Sequence, residues 1–203
     1  GQMEYDLGCE DIMADCGSVG RKCLRVGQTL YHTVVLPAKT ENLESRTFQL
    51  LRDFASSGGR IIALGLPYYV DGEESAELRA FMQSDAVIKM QKPQEILSLY
   101  RQETDLLVQC PENSHVYHYR CRYEDGQLLF LANSSLTDET PVTVSMTGKY
   151  LYRLDAMTGR IFLQSKADGG KLKVETKLFP ADSQLWFASD EKVLNAEAEN
   201  DSP

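Results

Sequence analysis

The chain has 203 residues, 42% hydrophobic and 25% charged, the profile of an ordinary globular protein with room for one large domain or two small ones. Its formal net charge of -9 argues against nucleic-acid and anionic-membrane partners, both of which demand a Lys/Arg surplus. No stretch reaches the roughly 20 apolar residues of a membrane span, and no signal peptide opens the chain.

Gly1 stands where an initiator Met would stand, which reads as a cleavage scar in a chain cut from something longer. The five cysteines, Cys9, Cys16, Cys23, Cys110 and Cys121, form no CxxC pair, so mostly free thiols are expected. His115 and His118 lie three apart in a strand-like run and point to opposite faces, so neither metal nor cofactor is expected.

In chain order, Glu10 to Cys16 reads as a short helix. Val19 and Cys23–Val26 flank Gly20-Arg21-Lys22 as a hairpin. Tyr31–Leu36, ending at Pro37, is a β-branched run suited to a strand buried on both faces. Leu43–Ser57 is an amphipathic helix stopped by Gly58-Gly59, and Arg60–Leu64 is a second buried strand. Ser75–Ser84 reads as a helix, Ala86–Met90 as a third strand, and Lys92–Glu103 as a helix with Pro93 in its first turn. Strands alternating with helices predict a parallel sheet.

From Thr104 the texture changes and helical periodicity disappears. Eight strands are predicted, over 105–110, 115–123, 127–132, 141–146, 150–154, 160–163, 171–178 and 184–188. Turn signals such as Glu124-Asp125-Gly126 and Asp155–Gly159 separate them, which predicts an antiparallel sandwich. In the last strand Leu185 and Phe187 are expected on the core face, with Trp186 facing away. The predicted layout is therefore an α/β domain over 1–104, a β-sandwich over 105–190 and a disordered acidic tail over 191–203.

Three segments together resemble a known family. Tyr31-His32-Thr33-Val34-Val35-Leu36-Pro37 followed by Phe54-Ala55-Ser56-Ser57-Gly58-Gly59-Arg60-Ile61-Ile62-Ala63-Leu64-Gly65 is similar to a strand–helix–strand unit. That unit belongs to the flavodoxin-like domains beside the barrels of β-galactosidases and α-L-rhamnosidases. Asp125–Ser134 resembles the "D-G-x-h-h-F-h-x-N-x-S" hairpin of the β domain that follows there. Leu154–Ile161 is similar to the "h-D-x-x-T-G-x-h" turn of the same enzymes. The resemblance is best to large α-L-rhamnosidase-like proteins and spans most of residues 5–189.

The resemblance implies a non-catalytic C-terminal region of an exported bacterial glycoside hydrolase, periplasmic or at the cell surface. The substrate would be a plant-type polysaccharide containing rhamnose or galactose. Its partner would be an upstream catalytic barrel. In such enzymes the two carboxylates that hydrolysis needs sit in that barrel, so no catalytic residue is expected here. Each motif also has a structural reason. Gly58-Gly59 caps a helix, Asp125-Gly126 opens a hairpin, Asn133 makes an Asx turn, and Asp155 with Gly159 makes a bulged turn.

No other chemistry stands out. Glu73-Glu74 after Asp71-Gly72 reads as a solvated loop. The loop Gly65-Leu66-Pro67-Tyr68-Tyr69 lacks a nucleophile, and no GxGxxG or GxxxxGK[ST] occurs. Aromatic side chains are the binding candidates: Tyr68, Tyr69 and Trp186 for sugar contact, with Tyr117 and Tyr119 beside them. Packing against a neighbouring domain is the favoured reading of such a patch. The alternatives are a carbohydrate-binding module, a free-standing hydrolase, and an unrelated two-domain interaction protein. A three-strand parallel sheet has open edges, so either the 19–26 hairpin or the Met3–Leu7 run is expected to join it, or two chains to pair as a homodimer.

Overall fold

The computed structural model describes residues 3–167, 169–193 and 195–198. They divide into two compact units, one of Tyr5–Ser98 and one running from Leu99 onward that also takes in Met3 and Glu4.

The first unit opens with helix α1 (Glu10–Cys16) and the strands β1 (Gly17–Gly20), β2 (Cys23–Val26) and β3 (Thr29–Tyr31). Next come β4 (Thr33–Leu36), β5 (Asn42–Leu43), α2 (Ser45–Ser56), β6 (Arg60–Ala63), β7 (Tyr69–Val70) and β8 (Glu73–Glu74). Helix α3 (Ala76–Gln83), β9 (Val87–Lys89) and α4 (Pro93–Glu103) complete the α/β region. The division between units falls inside α4, between Ser98 and Leu99.

β4, β6 and β9 pair in parallel in that order, with Val34 opposite Ile61 and Ile61 opposite Val87. Ile61 and Ala63 face a core built with Phe54 of α2 and Leu78 and Met82 of α3. Ile62, on the opposite face, is buried as well. That two-sided burial is why the strand is a continuous apolar run rather than an alternating one. Ser75 caps α3, its Oγ accepting from the Leu78 amide at 3.1 Å. Gly58 ends α2 with φ +86°, and a Cβ on Gly59 would lie 2.1 Å from the Phe54 ring, so only glycine fits there.

The expected repair of the parallel sheet does not take place. β1, β2 and β3 form an antiparallel sheet of their own, and Met3–Leu7 forms no strand. The hairpin instead buries Leu24 in the core shared with Leu36 and Ile61. Burial of that whole side chain is worth roughly 1.5–3 kcal/mol, and the three strands satisfy their ladder bonds among themselves.

The second unit is a sandwich. Its strands are β10 (Leu106–Gln109), β11 (Val116–Tyr123), β12 (Gly126–Asn133), β13 (Thr140–Thr147) and β14 (Tyr150–Leu154). β15 (Ile161–Lys166), β16 (Lys171–Leu178), β17 (Ser183–Ser189) and β18 (Glu197–Ala198) follow. One sheet has the order β10-β13-β16, the other β11-β12-β17-β14-β15-β18. Every pairing is antiparallel except that of β15 with β18. Val108, Val144 and Leu172 of the smaller sheet meet Leu129, Leu131 and Trp186 of the larger one in a single core.

Two expectations for this unit are corrected. Trp186 does not face away: register places it opposite Leu129, and it is 2% exposed, while Leu185 and Phe187 share the other face. Residues 185–188 are apolar at both alternations, so period-2 reasoning could not choose a face, and the neighbouring strand does. In the region expected to be a disordered tail, Glu197–Ala198 pairs with β15, and the Val193 amide donates to the Tyr152 hydroxyl at 2.9 Å. Residues 194 and 199–203 of that expectation lie outside the described residues.

Candidate functional site

β11 inverts the usual arrangement of a surface strand. Its inward positions carry His118, Arg120 and Arg122; its outward positions carry Tyr117, Tyr119, Cys121 and Tyr123. The outward tyrosines are among the most exposed large side chains of the chain, at 63% for Tyr117, 68% for Tyr119 and 58% for Tyr123. Phe130 of β12 lies opposite Tyr119 and is 42% exposed. Further across the sheet, Leu128 and Phe187 face each other and are half-buried. Gly126 keeps this surface level, because a Cβ there would meet the Phe187 ring at 2.7 Å. Negative charge on the neighbouring Cys121 sulfur, and a hydrogen bond that the phenol donates to that sulfur, hold the Tyr123 hydroxyl above its ordinary value of 10.0.

The inward arginine is satisfied by a polar cluster. Arg120 Nε donates to Glu4 Oε1 at 2.8 Å, and its Nη1 donates to Asp105 Oδ1 at 2.9 Å and Gln127 Oε1 at 3.0 Å. Nη2 donates to Glu4 Oε2. Arg122 adds a bond to Asp105 at 2.9 Å, and Gln127 Nε2 donates to the Thr147 carbonyl at 2.7 Å. Burial pushes the Asp105 carboxyl up, but the hydrogen bond and charge of Arg120, with Arg122, outweigh it and hold it below the usual range. Glu4 and Asp105 thus share one guanidinium. A general acid needs a raised pKa, and Asp105 has the opposite.

Tyr68 and Tyr69 follow the C-terminal end of β6, their ring centroids 4.3 Å apart. The Tyr68 ring is also engaged by Arg79, whose guanidinium lies 5.8 Å from its centroid. Tyr68 borders a shallow open depression with Leu66, Pro67, Met82 and Gln83. Trp186, buried in the sandwich core, has no surface to offer a sugar. Tyr117 and Tyr119 of β11 belong to a larger aromatic surface. Tyr123 and Phe130 extend it, and the same period-2 alternation from Tyr117 would have found Tyr123.

The motif residues hold turns. Asn133, buried, donates its amide to the carbonyls of Asp138 at 2.7 Å and Phe179 at 3.1 Å, while its Oδ1 accepts from the Ser135 amide. Asp155 Oδ1 accepts from the amides of Met157 and Thr158, and Gly159 takes φ +72°. Glu124-Asp125 closes the β11–β12 hairpin, with Tyr123 paired to Gly126. Among the described residues no disulfide forms and no cluster of three His, Cys, Asp or Glu is placed to hold a metal ion. No helix among them is long and apolar enough to cross a membrane.

No family model and no curated protein matches the sequence. In structure the chain is similar to a rhamnosidase from Novosphingobium sp. PP1Y, with a TM-score of 0.65 at 14% identity. The likeness covers 94% of this chain and 20% of that one. The chain thus shares its fold with about one fifth of a rhamnosidase polypeptide.

Proposed function

We propose that this chain is an accessory, non-catalytic region of a glycoside hydrolase, of the α-L-rhamnosidase-like kind, that supports a catalytic barrel. The supporting observation is the fold likeness along nearly the whole chain to a small share of a rhamnosidase. It agrees with the order of the three sequence motifs, strand–helix–strand, then hairpin, then turn. The flavodoxin-like description of the α/β half and the plant-polysaccharide substrate belong to this proposal. The carboxylates add physical support. Glu73 and Glu74 are exposed on a two-residue strand, and Glu4 and Asp105 are both ion-paired with Arg120. A glycosidase pair needs one carboxyl kept protonated and one ionised across a sugar, and neither arrangement offers that.

The test is turnover of nitrophenyl α-L-rhamnoside and β-galactoside by the chain alone and by the chain mixed with a separately produced catalytic barrel from its own coding region. No turnover is expected from the chain alone, and association is expected with the barrel. Turnover that a single carboxylate substitution in this chain abolishes would overturn the proposal.

A further inference from the structure

We propose that the outward face of β11 is a stacking platform for a neutral glycan chain, with Tyr117, Tyr119 and Tyr123 as its contact residues. The row is straight because all three side chains leave one strand on one side. At about 3.3 Å per residue, Tyr117 and Tyr119 stand about 7 Å apart and the whole row spans about 20 Å. That length suits several consecutive sugar rings.

The chemistry of the face selects the ligand. Every second position on this face of β11, β12 and β17, from 117 to 123, 126 to 132 and 183 to 187, lacks Asp, Glu, Lys and Arg. A face without basic side chains, on a chain of net charge -9, has nothing to hold an anionic polymer. The most exposed groups are phenols, which give an apolar ring face and a hydroxyl at its tip. Pyranoses present the same pairing, with a C–H face and hydroxyls at the rim. A contiguous exposed aromatic patch of this kind marks a contact surface.

A second copy paired through the β11 edge fits less well. β11 is the end strand of its sheet, and Arg120, its side chain 3% exposed, points to its inward side. Inward-pointing charge is a device that blunts strand-to-strand addition. The ligand class rests on the accessory-region reading above, since the glycosidase likeness is what makes a polysaccharide available.

The experiment is affinity electrophoresis of the full chain in gels containing a neutral galactan, a neutral rhamnan or a galactomannan. Three variants accompany the wild type: Tyr119→Thr, the triple Tyr117→Thr/Tyr119→Thr/Tyr123→Thr, and, off the row, Leu136→Thr at an exposed bend of the same unit. Threonine keeps strand propensity, and Trp186 emission, arising in the core on the other face, reports folding of each variant. The expected result is retardation by at least one polymer. It should be weakened about two- to tenfold by Tyr119→Thr, abolished by the triple variant and unchanged by Leu136→Thr. Absence of retardation by all three polymers overturns the proposal, as does retardation that the triple variant retains. Sedimentation in parallel separates the readings. Self-association lost in the triple variant makes the face a protein-docking surface and overturns the platform. Association with the catalytic barrel in the absence of glycan retardation leaves the accessory reading standing while the platform falls.

Discussion

Glu4 and Arg120 are 116 positions apart in the chain and joined by two hydrogen bonds, through Nε and Nη2 of the guanidinium. The Arg120 side chain is only 3% exposed, so its charge depends on Glu4 and Asp105 for compensation. Removing the partners strands a buried cation, whereas removing the cation leaves two partly exposed carboxylates that water can reach. Glu4→Ala/Asp105→Ala is therefore expected to lower the unfolding free energy of the sandwich by about 3–5 kcal/mol, and Arg120→Met by clearly less. Urea denaturation followed by Trp186 emission measures both; equal losses would contradict this account.

Acid should weaken the sandwich in two stages. Burial, with a smaller push from Arg120, holds the His118 imidazole below its ordinary 6.5, and the Glu4 carboxylate only partly opposes it. The unfolded chain then takes up this proton more readily than the folded one. Stability is full above about pH 6.5 and declines as pH falls through the lower folded value. Asp105, also held below its ordinary 3.8, adds stability that is present above that value and lost as pH falls through its folded pKa. Denaturation midpoints should drop first as pH falls below about 6.5, and again below about pH 4. His118→Gln should flatten the first step alone.

The single tryptophan gives a direct optical check. With Trp186 in the core, its emission should be blue-shifted and resistant to acrylamide quenching in the folded protein, and unchanged by any saccharide. A saccharide-dependent shift would place the indole at a binding surface. Trp186→Ala should cost about 3–5 kcal/mol through the cavity it leaves.

Asn133 offers a sharper test of turn chemistry. Its amide is the donor for carbonyls from two loops, at Asp138 and Phe179. Asn133→Asp replaces that donor with an acceptor pointed at acceptors. It should destabilise more than Asn133→Ala, which costs on the order of 1–3 kcal/mol. Thermal melts of the two variants would show the order.

Much of this fold is legible in the residues, and the exceptions have physical causes. The runs at 33–36 and 60–63 announce a parallel sheet because strands buried on both faces must be apolar throughout. Two-residue strands such as β5, β7 and β18 leave no periodicity to read. The placement of Trp186 depends on which strand pairs with β17, a non-local fact, since 185–188 fits either face. Tyr117 and Tyr119 were readable as exposed aromatics, but the reason they are exposed was not. That reason lies in Arg120, drawn inward by carboxylates at positions 4 and 105.

β18 is two residues long, yet it sits at the far end of the six-stranded sheet and is tied down by Arg160, which donates to Glu197. The two ends of that sheet are thus guarded by unlike means, one by a strip of the chain's own backbone and the other by a buried arginine. A strip can be peeled away, whereas a buried arginine cannot. Trimming the chain after Lys192 by a protease would uncover β15 and turn a stable preparation into one that gels or forms fibres on storage, with the tyrosine row on β11 untouched.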